Sequence, residues 1–160
     1  MMFPVDYRAQ VSWNDITADE QRFIDQLLLT FSNRLDALMA GTVAREGPKL
    51  TFEVPFFRLV SNLNLLVAID KGEISVRFDE RTLTVVYGVS FKRMLVVVTL
   101  MVLCLGGFMA SQGLPWLGAG ALVVGSWLWL FGMNVIIFLL RFRFWIKQTV
   151  QEELRWEKSL

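Results

Sequence analysis

Histidine is absent from this 160-residue chain, and cysteine occurs once, as Cys104. The commonest general acid–base at neutral pH and the commonest metal ligand are therefore missing. A lone cysteine excludes an internal disulfide. Charge of one sign is also missing, since 16 Lys and Arg stand against 15 Asp and Glu, for a net +1. No basic excess of the kind that binds nucleic acid is present, so no nucleic-acid partner is expected. There is no Gly-x-x-x-x-Gly-Lys phosphate loop. Gly118-Ala119-Gly120 lies in an apolar run with no strand before it, which excludes a dinucleotide loop. Asp15, Asp19, Asp25 and Asp36 fall on or near the polar face of a helix, where a solvated surface accounts for them. Met1 to Trp13 lacks the basic leader and apolar run of a signal peptide. The expectation is a non-enzyme with no catalytic residues, no cofactor and no metal.

Charge is locally absent as well. Met94 to Leu140 is a run of 47 residues with no Asp, Glu, Lys or Arg. One membrane span takes about 20 apolar residues, so this run predicts two. Ser111, Gln112, Gly113 and Pro115 break it near the middle, giving one helix over 94–110 and a second over 116–140. Lys92 and Arg93 precede the first span, and Arg141, Arg143 and Lys147 follow the second, while the connecting loop is uncharged. Basic flanks stay on the cytoplasmic side, so both chain ends are expected there, with the bilayer as one partner. Trp116 and Trp145 are placed as interfacial aromatics.

Small residues occur in both spans, at Gly106 and Gly107 in the first and at Gly118, Gly120, Gly125, Ser126 and Gly132 in the second. Small residues let helices approach closely in lipid. Gly118, Gly125 and Gly132 recur at seven residues, on one face, with Asn134 at its end. Val96, Val97, Leu100 and Leu103 are expected opposite the deeper glycines. Gly118, Gly125, Ser126, Gly132 and Asn134 are the candidate helix interface, toward other membrane subunits or a second copy.

The soluble part alternates. Val5, Tyr7, Ala9, Val11 and Trp13 predict a strand with one buried face. Thr17-Ala18-Asp19-Glu20 reads as a capping box in which Thr17 caps the helix. Ile24, Leu27, Leu28, Phe31, Leu35 and Leu38 follow at helical spacing, with a stop near Gly41. Residues 45–48 read as a polar linker. Leu50, Phe52 and Val54 alternate up to Pro55. Asp70-Lys71-Gly72 and Asp79 to Arg81 read as turns. Between and after them lie Ile74, Val76 and Phe78, then Leu83, Val85, Tyr87 and Val89. The fold class is an α+β membrane protein: an antiparallel β-meander under one covering helix (1–90), a transmembrane helical hairpin (94–140), and a juxtamembrane amphipathic helix (141–160). Phe56, Phe57, Leu59 and Val60, with Trp145, form a candidate membrane or partner surface.

At the level of architecture alone, a meander feeding a hairpin resembles small membrane-anchored bacterial proteins with lipid-binding-type β domains. That resemblance implies a bacterial inner membrane. The leading functional expectation is a non-catalytic subunit or scaffold of a membrane complex. The alternative is a β-domain module that binds or senses a lipid or small apolar ligand.

The charge pattern yields a direct test. In a Cys104-free background, cysteine at Gln112 should react with an impermeant thiol reagent applied outside intact cells. Cysteine at Lys92 should not, and its labelling from outside would overturn the orientation.

Overall fold

The computed structural model describes residues 6–14, 16, 19–55, 65–66 and 68–157. Five antiparallel strands form one sheet: β1 (Asp6–Trp13), β2 (Thr42–Glu46), β3 (Lys49–Glu53), β4 (Lys71–Asp79) and β5 (Thr82–Ser90), in the order β1-β5-β4-β3-β2. β2 to β5 make a meander, and β1 closes it by pairing along β5, from Asp6 opposite Ser90 to Trp13 opposite Leu83.

Period-two alternation decides the faces. Val11, Leu50, Phe52, Ile74, Val76, Leu83, Val85, Tyr87 and Val89 are buried on one side. The polar residues between them form the other. Residues 45–48, read as a polar linker, are instead the end of β2 and its turn to β3. Among the residues of β2 only Val43 packs on the core, so the strand is held by pairing to β3 rather than by an apolar face. Gly47 sits at φ +58 in that turn, a conformation glycine adopts freely.

Gly72 is not in a turn either, because β4 already begins at Lys71. A Cβ there would lie 2.4 Å from the tip of the Phe52 ring, so the glycine makes room for an aromatic packed over the sheet. The turn at 79–81 is present, tightened to Glu80 and Arg81 between the paired Asp79 and Thr82, with Glu80 at φ +53.

Helix α1 (Glu20–Ala37) buries Phe23, Ile24, Leu27, Leu28, Phe31 and Leu35. Its cap is Asp19, whose side chain accepts from the Arg22 N–H; Thr17 lies outside the described residues. The helix stops before Gly41, and the left-handed residue that ends it is Met39, at φ +60. The Ala40 N–H closes the end on the Leu35 carbonyl.

Strand β5 passes through the buried Phe91 straight into α2 (Lys92–Ser111). After a short loop the chain returns as one helical run of 42 residues, Trp116–Glu157. It comprises α3 (Trp116–Trp127), a π-helical stretch (Leu128–Met133) and α4 (Asn134–Glu157). α2 and this run are both long and apolar enough to cross a membrane.

The segment 141–157 is helical and amphipathic as expected, but its apolar stripe lies in the core of the sheet domain. Phe138, Phe142, Ile146, Thr149 and Val150 are buried. The Phe142 ring lies 5.4 Å from Tyr87 and 6.5 Å from Phe52, and stacks 5.1 Å from Phe138. Two helices, α1 and α4, thus cover the sheet side by side. They run in opposite directions, since Gln26 and Thr30 reach Glu153 while Arg34 reaches Thr149.

Two substitutions test this core in the full chain. Leu28→Asp puts an unpaired carboxylate at a fully buried site, a cost of several kcal/mol that should unfold the sheet domain. Phe142→Ala should destabilise the same unit by about 3–5 kcal/mol. Urea unfolding followed by tryptophan fluorescence measures both. An unchanged midpoint for Phe142→Ala would mean that the sheet does not depend on the end of the long helix.

Candidate functional sites in the hairpin and on the sheet

In the hairpin, close packing falls at Gly106. A Cβ there would stand 2.2 Å from a Val123 methyl, and Val102 and Ala119 are buried beside it. A polar bond crosses the pair, from Trp127 Nε1 to Thr99 Oγ1 at 3.0 Å. Gly125 and Gly132 lie elsewhere: a Cβ on either would meet nothing within 4 Å. At Gly118 an added Cβ would touch only Leu114, just before its own helix. Ser126 is half-buried. Val96, Val97, Leu100 and Leu103, expected to oppose the glycines, are exposed instead, because α2 turns Val102 and Gly106 toward its neighbour.

Asn134 is exposed, and its amide donates to the Leu130 carbonyl of its own helix. Trp145 is half-buried against Phe31 and Phe142, at 5.5 and 5.4 Å, so its ring belongs to the domain core rather than to an interfacial belt. Phe56, Phe57, Leu59 and Val60 lie outside the described residues.

The base of α2 is built in two parts. Phe91 supplies no side-chain cap, and the Asp70 carboxylate, from the segment before β4, accepts from the Arg93 N–H at 2.6 Å. The Arg93 guanidinium donates to the Val54 carbonyl at 3.1 Å. A negative group at a helix N-terminus also meets the positive end of the helix dipole. Two separate segments therefore hold the first turn of α2.

The polar face of the sheet is hollowed next to that turn. An open groove of about 620 Å³ runs over β1, β5, β4, β3 and β2, and a neighbouring hollow of about 390 Å³ reaches Asp70 and Arg93. Both are lined by Thr42, Glu53, Lys71, Ser90 and Lys92. The register explains the line. Asp6 pairs with Ser90, Ser90 with Lys71, Lys71 with Glu53, and Glu53 with Thr42, a single row crossing all five strands. The next row carries Arg8, Gly88, Glu73, Thr51 and Ala44. The Glu73 side chain lies over Gly88 in this row.

Ion pairs occupy part of this face: Lys92 to Asp6 at 3.2 Å, Lys49 to Glu73 at 2.8 Å and Arg8 to Glu73 at 3.5 Å. The Lys49 ammonium, partly opposed by burial, holds the Glu73 carboxyl below its ordinary range. Ser90 Oγ is buried and faces the paired Asp6 carboxylate, whose pKa its hydroxyl, then Lys92, holds below the ordinary range. Alternation of charge along a strand pattern gave no signal for this groove, which exists only through cross-strand register. Among the described residues no cluster of His, Cys, Asp and Glu could hold a metal.

A polar clasp joins the long helix to α1. Arg34 pairs with Glu152 and donates to Thr149 Oγ1 at 3.0 Å, and Thr30 donates to Glu153 at 2.7 Å. The Arg34 hydrogen bond, then that of Gln148, lowers the Glu152 pKa. Comparison with protein-family models, with curated proteins and with solved structures finds no match to this chain.

The clasp has a pH signature. A carboxyl depressed in the folded state adds stability above its unfolded pKa, near 4.5, and loses it as pH falls through the lower folded value. The pair is partly exposed, so the contribution is about 0.2–1 kcal/mol. Glu152→Gln should remove it at pH 7, and parent and variant should converge in unfolding midpoint below the ordinary carboxylate range. A constant gap across that range would exclude the pair as its source.

Proposed function

We propose that this chain is an integral membrane protein, held by a transmembrane hairpin with both ends on the cytoplasmic side. It serves as a non-catalytic subunit or scaffold that associates through its helices with other membrane proteins or with itself. The observation that carries this reading is the outward placement of Gly125 and Gly132. The hairpin closes through Gly106 and Val123, so it has no use for these two glycines. Glycine facing lipid forgoes dispersion contacts, whereas glycine facing a helix admits close approach. Membrane insertion is supported by the many large apolar side chains that the hairpin exposes, among them Leu100, Phe108, Leu117 and Trp129. Such a surface exceeds what a soluble monomer leaves in water.

The alternative of an apolar ligand in the β domain gains no comparable support. The apolar face of the sheet is filled by side chains of α1 and α4.

Association is tested directly. Gly125→Leu and Gly132→Leu should overpack the contact at a cost of about 1–3 kcal/mol and leave insertion intact. The mass of the detergent-solubilised species should fall. If both variants assemble as the parent does, the outward glycines are not the interface and the subunit reading loses its basis.

A further inference from the structure

We propose that the end of α1, with the hollow between it and α4, is a lipid-contact surface that takes phospholipid acyl chains from the leaflet nearest the sheet domain. The hollow has a volume of about 470 Å³. Leu140, Phe144 and the half-buried Trp145 line it from α4, with Gln148 at the end away from the hairpin. Leu38 of α1 and Leu65 line it from the other side.

Helix direction places this hollow. α1 and α4 run antiparallel, so the last residues of α1 lie at the membrane end of α4. Leu140 is the last residue of the uncharged run, and Arg141, which also lines the hollow, is the first charge after it. The hollow therefore lies where the span ends, and Leu140 belongs both to it and to the apolar surface of the hairpin. Phe144 follows Leu140 by one helical turn, about 6 Å along the axis. The headgroup layer on each side of a bilayer is about 5–7 Å deep, so Phe144 remains within it.

The side chains exposed at this end are large and apolar. Leu140, Phe144 and Met39 are 66%, 68% and 58% exposed. Met39 ends α1 at φ +60, where glycine is the ordinary residue. The chain thus carries a long apolar side chain at this position in spite of backbone strain. Such a cluster is unfavourable in water and favourable at the boundary of headgroups and acyl chains. Leu29, on the same helix, is equally exposed at 59%. It lies ten residues before Met39, about 15 Å back along the axis and beyond the depth of the headgroup layer. Lipid contact therefore predicts a difference between two residues that exposure alone makes alike. The proposal rests on the membrane reading and adds to it a second contact with the bilayer, made by the sheet domain.

The test uses the full chain in vesicles of phosphatidylcholine and phosphatidylglycerol. Met39→Cys, Phe144→Cys and Leu29→Cys are made singly in a Cys104→Ser background and spin-labelled. Leu100→Cys and Leu128→Cys serve as references within the spans. All five side chains are exposed, so each variant should keep the parent's circular dichroism. Collision of each label with oxygen, which partitions into lipid, is compared with collision with a water-soluble nickel chelate. Oxygen should dominate at Met39 and Phe144, as at Leu100 and Leu128, and the ratio should invert at Leu29. Chelate dominance at Met39 and Phe144, with oxygen dominant in the spans, would overturn the lipid contact and keep the membrane reading. Chelate dominance at Leu100 and Leu128 would overturn both. Labels at Met39 and Phe144 shielded from both reagents would mean that protein covers the surface, and would also overturn the proposal. Oxygen dominance at Leu29 as well would remove the depth order that defines the surface, with the same result.

Discussion

Phe142 sits where three parts of the chain meet. Its ring is packed against Tyr87 of the sheet, Phe138 one turn earlier in its own helix, and Trp145, which in turn rests on Phe31 of α1. Without this aromatic cluster the sheet would have only α1 over its apolar face, and part of β5 would face solvent. The residues that complete the core come some fifty positions after β5, on the far side of the apolar hairpin. The sheet domain is therefore not finished until the hairpin has gone out and come back. A core assembled from such distant segments carries a large loop-closure cost, and the two helices of the hairpin lower it by pairing antiparallel and returning the chain close to where it left.

This arrangement makes the junction between hairpin and domain stiff. One leg leaves the sheet through Phe91, which is fully buried and lies 5.3 Å from Phe138 on the other leg. Its first turn is capped by Asp70 and tied to Val54. The second leg is a helix that runs on without a loop into the core. Neither leg has a glycine- or proline-rich tether, so displacement of the hairpin displaces β5 and α4 together. The α1 clasp through Arg34, Thr149 and Glu152 extends that unit to the covering helix.

How much of this was legible in the residues depended on the range of the interaction. Strict alternation located β1, β3, β5 and most of β4, and helical spacing located the buried face of α1, because each face is a local consequence of side-chain period. The apolar stripe of Phe142, Trp145, Ile146 and Val150 was equally legible, yet its partner was not. An amphipathic face says that something covers it, and a bilayer surface and a protein core present the same apolar demand. β2 escaped notice because its stability comes from backbone pairing to β3, with Val43 alone touching the core. Gly72 misled for a related reason: a glycine required by the Phe52 ring across the sheet has the same local appearance as one required by a turn. The row from Asp6 to Thr42 was invisible in principle, since its five members come from five strands and meet only through register.

The π-helical stretch from Leu128 to Met133 reconciles two demands on the long helix. Up to Trp127 the helix must face α2, where that indole bonds Thr99. From Phe138 onward it must face the sheet. A π turn inserts one residue's worth of rotation into the helix, about 100° in phase, without a bend-inducing proline. Phe131, packed 5.0 Å from Trp127, marks the start of the change, and Phe138 and Phe142 mark its completion. Such a turn weakens the regular ladder and leaves backbone carbonyls in search of donors. In an apolar setting each carbonyl left unmet would cost several kcal/mol. Asn134 meets this need from within, its amide donating to the Leu130 carbonyl. Its position just after Gly132 thus has a reason independent of any neighbouring chain. Gly125 and Gly132 face away from the hairpin contact, while the asparagine beside them is committed to the helix that carries them.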